Sequence, residues 1–228
     1  MRIFMLTALS LLLASPVFCQ REDVLKAYSK YKIDQPAVDS LHEHYFERYS
    51  FNLKTTIVTE GTEKVYQAKH DPSLPAGSQW VLVTVNGGNP SRLDLNTFNK
   101  THSDKIPPPR PDFNTFKVVK DEGGELVISY QYDPASLIQD NDFMKYCVVK
   151  LFFSTQTGRL QKMESEIHDT FKIKMFKADH MNSSVTYQYD ETEKRYLPLH
   201  EEVSIGLKLL GRPLEMITIN DYSNYKKS

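Results

Sequence analysis

The chain has 228 residues, with 28 Lys and Arg against 29 Asp and Glu, a formal charge of −1, and 11% aromatic residues. Basic residues are scattered, with no run beyond Lys226-Lys227, so the electrostatic footprint of a nucleic-acid binder is missing. The length suits one large β domain, and no apolar run reaches the roughly twenty residues that a membrane-crossing helix needs.

Met1-Arg2, the apolar stretch Ile3 to Ala14, and Val17-Phe18-Cys19 before Gln20 have the three-part layout of a secretory signal. Val17 and Cys19 fill the −3 and −1 positions for cleavage before Gln20, which makes residues 1–19 a signal peptide and Gln20 a new N-terminus able to cyclise. Acylation of Cys19 calls for a small residue before it and usually Leu three before; Phe18 and Pro16 stand there, so a lipid anchor is not expected. The expected location is extracytoplasmic. With Cys19 removed, Cys147 is alone in the strand-like run Tyr146-Cys147-Val148-Val149 and reads as a buried thiol. No disulfide framework is available, so a packed core must hold the domain.

Residues 21–48 carry the helical patterns. Val24, Leu25, Tyr28 and Tyr31 fall near helical spacing. Asp34-Gln35-Pro36 interrupts, and Pro36 opens a second helix with Val38, Leu41, Tyr45 and Arg48 on one face. From Phe51 the period becomes two: Phe51, Leu53, Thr55, Ile57 and Thr59 alternate, Glu60-Gly61-Thr62 turns, and 64–68 returns. A loop at 71–77 leads to a strand over 79–85 that holds Trp80, followed by the turn Asn86-Gly87-Gly88-Asn89-Pro90 and a short helix over 94–102. Ile106-Pro107-Pro108-Pro109-Arg110-Pro111 is a stiff spacer. Strands are predicted at 115–120, 125–133, 145–154, 159–166, 168–176, 184–190, 196–208 and 213–221, which together make an antiparallel meander over 115–226. Tyr-Gln-Tyr-Asp occurs at 130–133 and 187–190, and reads as two similar strand ends.

Along 145–154, Cys147, Val149, Leu151 and Phe153 share a wholly apolar face, opposite Tyr146, Val148, Lys150 and Phe152. One face of the sheet is therefore expected to build the core. The other, with its aromatic and methionine side chains, is expected to wall a pocket. Trp80, Leu82 and Phe152 are the residues chosen for that wall; the alternative is that helices and loops cover both faces.

Catalytic signatures are missing. His42-Glu43-His44 falls on a predicted helix, where i and i+2 point apart, so the two imidazoles cannot share a metal. His200 and Glu202 share a strand face and read as a solvated ion pair. There is no HExxH, no phosphate-binding glycine loop and no Gly-x-Ser-x-Gly elbow. No enzyme activity, metal or cofactor is expected.

Two stretches carry a resemblance. His70 to Ser91, with Asp71-Pro72, Gly77, Trp80-Val81-Leu82 and Val85-Asn86-Gly87, resembles a segment of uncharacterised exported bacterial proteins. The C-terminal meander, with Tyr196-Leu197-Pro198 and Asp221-Tyr222-Ser223-Asn224-Tyr225, resembles the last strands of the outer-membrane lipoprotein-sorting (LolA/LolB-like) carriers. The resemblance implies an α+β, mostly β fold: a curved antiparallel sheet of roughly ten strands, an incomplete barrel wrapped around N-terminal helices. It also implies a single domain over 20–228, a bacterial source, and a place in the periplasm or at the outer-membrane periphery. The function it implies is non-enzymatic binding of a lipid, an acyl chain or another apolar ligand. A structural or interaction component of an envelope complex is the alternative, with an envelope protein as partner, and a hydrolase is a further one. The carriers' functional arginine has no matching position here, so no residue role is carried over.

Overall fold

The computed structural model describes residues 15–43, 48–75, 77–103, 108–173, 176–209 and 212–228. Helix α1 (Ser15–Tyr31) ends where Lys32 adopts φ 54°, and the Ile33 amide donates to the Tyr28 carbonyl at 2.9 Å. This is a Schellman-type stop, with lysine in the left-handed position that glycine usually takes. Asp34 caps the short α2 (Gln35–Asp39), with Pro36 in its first turn, and a 3-10 turn Ser40–His42 follows. The predicted second helix is thus a single α turn, because the chain tightens to 3-10 from Ser40 and becomes extended at Glu43. Tyr45, expected on the face of that helix, and His44 of the His42-Glu43-His44 cluster lie outside the described residues. Helix α3 (Arg92–Ser103) opens with a reciprocal cap: the Ser91 amide donates to Asp94 Oδ2 at 3.0 Å, and the Asp94 amide donates to Ser91 Oγ at 3.2 Å.

The strands are β1 (Tyr49–Thr59), β2 (Thr62–His70), β3 (Trp80–Val85), β4 (Lys117–Glu122), β5 (Glu125–Gln131), β6 (Val148–Ser154), β7 (Leu160–Ile167), β8 (Phe171–Ile173), β9 (Phe176–Asp190), β10 (Arg195–Leu209) and β11 (Arg212–Lys227). They form one antiparallel sheet in the order β3-β2-β1-β11-β10-β9-β7-β6-β5-β4, with β8 beside β9. The sheet is open, with β3 and β4 at its edges: an incomplete barrel wrapped around its helices, as expected. The largest departure from the predicted elements is β9. It runs unbroken through Asn182-Ser183-Ser184, since partners on both sides satisfy its backbone whatever its side chains. The strand foreseen over 145–154 starts later, because Asp142–Tyr146 is a 3-10 turn. The two Tyr-Gln-Tyr-Asp segments do end strands alike: Asp133 accepts from the Ala135 amide and Asp190 from the Thr192 amide, each at 2.9 Å.

Directly paired residues of an antiparallel sheet point to one side, so registers carry a single inner face across it. The pairings Ile128↔Leu151, Leu151↔Met163, Met163↔Val185, Val185↔Glu201, Glu201↔Asn220, Asn220↔Thr55 and Leu53↔Ala68, Ala68↔Leu82 lie on that face. α1 covers one half of it. Val24, Ala27 and Tyr28 pack with Leu126, Ile128, Tyr130, Val149, Leu151 and Phe153, all buried. α3 covers the other edge, where Phe98 buries against Ala68 and Leu82. Cys147 is fully buried in the larger cluster, as the sequence suggested, and burial pushes its thiol pKa up. The β6–β7 turn meets the end of α1 at Gly158. It has φ +66°, and an added Cβ there would lie 3.1 Å from the Lys32 carbonyl oxygen and inside contact distance of that of Tyr31.

Candidate ligand-binding cavity

Between the two helical caps the inner face has a floor of half-buried apolar side chains, among them Ile57, Val203, Ile205, Leu207 and Met216. Where this floor meets the turn after α2, a cavity of about 210 Å³ opens, roofed by Ser40 and Leu41 and walled by Met163, Val185, Tyr187 and Tyr222. Its polar groups are Arg195 and Glu201. Arg195 is nearly buried, its side chain 7% exposed, and its Nη2 donates to Glu43 Oε2 at 2.7 Å. Glu43 itself is 60% exposed, so the pair ties the stretch after α2 to the mouth of the cavity. Glu201 Oε2 accepts from Asn220 Nδ2 at 2.9 Å and from the Tyr222 hydroxyl at 3.1 Å. Asn220 Oδ1 in turn accepts from Thr55 Oγ1 at 2.7 Å.

Beside this cavity Tyr187 and Tyr189 are held neutral. Burial first, and then the Glu201 charge, push the Tyr187 pKa well above its ordinary value. Tyr189 is pushed up to about 12, by burial first and then by its bond to Asp34, which accepts from the hydroxyl at 2.8 Å. The same Asp34 caps α2, so one carboxylate joins the helical turn to the end of β9. Arg159 lies 3.5 Å over the Tyr189 ring and binds both carboxylate oxygens of Glu191 at 2.8 Å.

Of the residues chosen from sequence, Trp80 and Leu82 lie on the inner face but beneath α3. Leu82 is buried against Phe98, and Trp80 sits 4.7 Å from both the His70 and His102 rings. Neither lines the cavity. Phe152 points the other way, to the outer face, with Lys162 Nζ 4.3 Å over its ring. The division of one face for core and the other for pocket is corrected accordingly: core and cavity share the inner face. The outer face is laced with pairs such as Lys150–Glu166 at 2.7 Å and Lys162–Glu164 at 2.6 Å. His200 is also corrected: it meets Asp221 on β11 at 2.8 Å, because the cross-strand partner is nearer than a residue two along the same strand.

A larger depression of about 620 Å³ opens at the rim between the Asp142–Tyr146 turn and β8. Its Lys145 and Asp142 are paired at 2.7 Å, and Gln139, Asp140, Thr170 and Lys172 give the rest of its lining a polar character. Among the described residues no group of His, Cys, Asp and Glu is placed to hold a metal, and no helix is long and apolar enough to cross a membrane.

No protein-family model and no curated protein matches the sequence. Among solved structures, the crystal structure of the LolA superfamily protein NE2245 from Nitrosomonas europaea is similar to 91% of this chain over 93% of its own, at 10% identity and a TM-score of 0.37. Strand order and register by themselves make the sheet an incomplete barrel.

Proposed function

We propose that the protein binds an elongated lipidic or other apolar ligand on the inner face of its sheet, without catalysis, and that it does so outside the cytoplasm. The observation that carries this is the half-buried apolar floor between the α1–α2 cap and the α3 cap, continuous with the cavity under Leu41. Such a floor gains about 2.5 kcal/mol for each further 100 Å² removed from water, before the entropy of association is subtracted. The turn after α2, held by Arg195–Glu43 and Asp34–Tyr189, is the lid of this site. The extracytoplasmic part rests on the signal-like N-terminus, with cleavage before Gln20 inside the span of α1.

Native mass spectrometry of the protein purified from its own envelope tests the reading. A lipid-sized adduct lost on denaturation is expected, together with displacement of a fluorescent dodecyl probe by unlabelled lipid. No adduct and no probe binding would refute it. An interaction role is favoured by one feature, the exposed Val81 and Val83 on the edge strand β3. Val83→Pro would abolish an envelope partner's capture while leaving probe binding intact if that role holds.

A further inference from the structure

Glu201 breaks the pattern of its strand. The neighbouring inward positions of β10 are Val203, Ile205 and Leu207, and the cavity beside it is walled by Met163, Val185 and Tyr187. A carboxylate on an apolar floor is costly unless it has a partner. Its partners are arranged on one side only. Asn220 and Tyr222 both donate to Oε2. The Asn220 amide is locked the right way round because its Oδ1 takes the Thr55 hydroxyl. Among the described residues Oε1 accepts no hydrogen bond, and Glu201 has no ion pair. The other charge of the cavity, Arg195, is already neutralised by Glu43. The cavity therefore presents one pre-oriented acceptor oxygen, and its charged groups leave a negative excess.

From this geometry we infer that the site selects long-chain amphiphiles whose head carries an ammonium group. The head donates to Glu201 Oε1, and the chain lies along Val203, Ile205 and Leu207. This rests on the apolar-ligand reading above and adds the head-group chemistry. An anionic head would have to displace Glu43 from Arg195 while facing the unpaired Glu201 oxygen, so fatty acids are disfavoured.

The test is displacement of the fluorescent dodecyl probe from the full protein by dodecylamine, dodecanol, dodecanoate and butylamine. Dodecylamine is expected to bind at least about tenfold tighter than dodecanoate, the scale of one charge-assisted hydrogen bond, with dodecanol between them and butylamine without effect. Glu201→Gln keeps the shape and an acceptor for Asn220. It should weaken dodecylamine about tenfold and leave dodecanol within about twofold, while Glu202→Gln on the outer face changes nothing. The wild-type series decides the sign even if Glu201→Gln fails to fold. Equal binding of amine and carboxylate, tighter binding of dodecanoate, or displacement by butylamine overturns the inference but leaves the apolar groove standing. Failure of every dodecyl compound to bind overturns the groove reading itself.

Discussion

Gly158 offers a measure of how firmly α1 is seated on the sheet. Alanine there meets two separate penalties. At φ +66° an L-residue sits in the left-handed region, at about 1–2 kcal/mol. Its Cβ also runs into the backbone carbonyls of Tyr31 and Lys32, which are fixed by the helix stop and cannot rotate away. That overpacking adds about 1–3 kcal/mol, so Gly158→Ala should lose roughly 2–5 kcal/mol. Gly61, in the β1–β2 turn, supplies the control: its φ is +75° and an added Cβ meets nothing within 4 Å. Gly61→Ala carries only the backbone penalty, and both variants share the same stiffening of the unfolded chain. Urea unfolding of both variants, with midpoint and slope compared, isolates the contact. Equal losses would refute the seating of α1 against the β6–β7 turn, and with it the account of how the helical cap is placed.

Phe153→Ala should lose about 3–5 kcal/mol, as a fully buried inner-face aromatic. Its neighbour Phe152→Ala should lose about 1 kcal/mol or less; thermal unfolding of the pair reports the face assignment, and a reversed order would undo it. Glu43→Ala should destabilise more than Arg195→Met, because it strands a nearly buried guanidinium whereas Arg195→Met removes that charge altogether; chemical denaturation of the two ranks them. Burial depresses the His70 and His102 pKa values below 6.5. The unfolded chain therefore takes up these protons first, and the stability these histidines provide is full above pH 6.5 and declines as pH falls toward their folded values. The urea midpoint should drop between pH 7.5 and 5, and the drop should shrink in a His70→Gln/His102→Gln double variant. A slope unchanged by the double variant would remove the histidines as its source.

Much of the sheet was legible because its in-out alternation is clean where the face is packed. Cys147, Val149, Leu151 and Phe153 alternate without a break and are all buried. The turns were legible from Gly61, Asn86-Gly87, Gly123-Gly124 and Gly158, all of them at positive φ. The start of β9 was not, since a strand with partners on both sides tolerates a polar stretch that would read as a loop. The cavity was missed for another reason. Arg195, Glu201, Asn220 and Thr55 come from three strands and meet only through register, Glu201↔Asn220 and Thr55↔Asn220. One signal was available: Glu201 stands two residues before the Val203, Ile205, Leu207 series, a charge at an inward position of an apolar face. Phe152 was chosen because it stands opposite the apolar set, on the face expected to wall a pocket, and that face carries ion pairs instead.

The pairing of β1 with β11 joins Tyr49 to Lys227 and Thr59 to Met216 in the middle of the sheet. The β1–β2 hairpin and the end of the meander are thus sewn together along the inner face. A contact closed across so long a stretch of chain forms late and slowly, because the loop must be ordered before the pairing can reward it. During synthesis, β1 and its hairpin partner β2 wait with an open edge until β11 arrives, while the pairs β4–β5 and β6–β7 can each zip up from a short turn. The hairpins under α1 are therefore local folding units, and the seam between β1 and β11 is among the last contacts to close. That seam is also where a misplaced strand from a second chain would most easily enter.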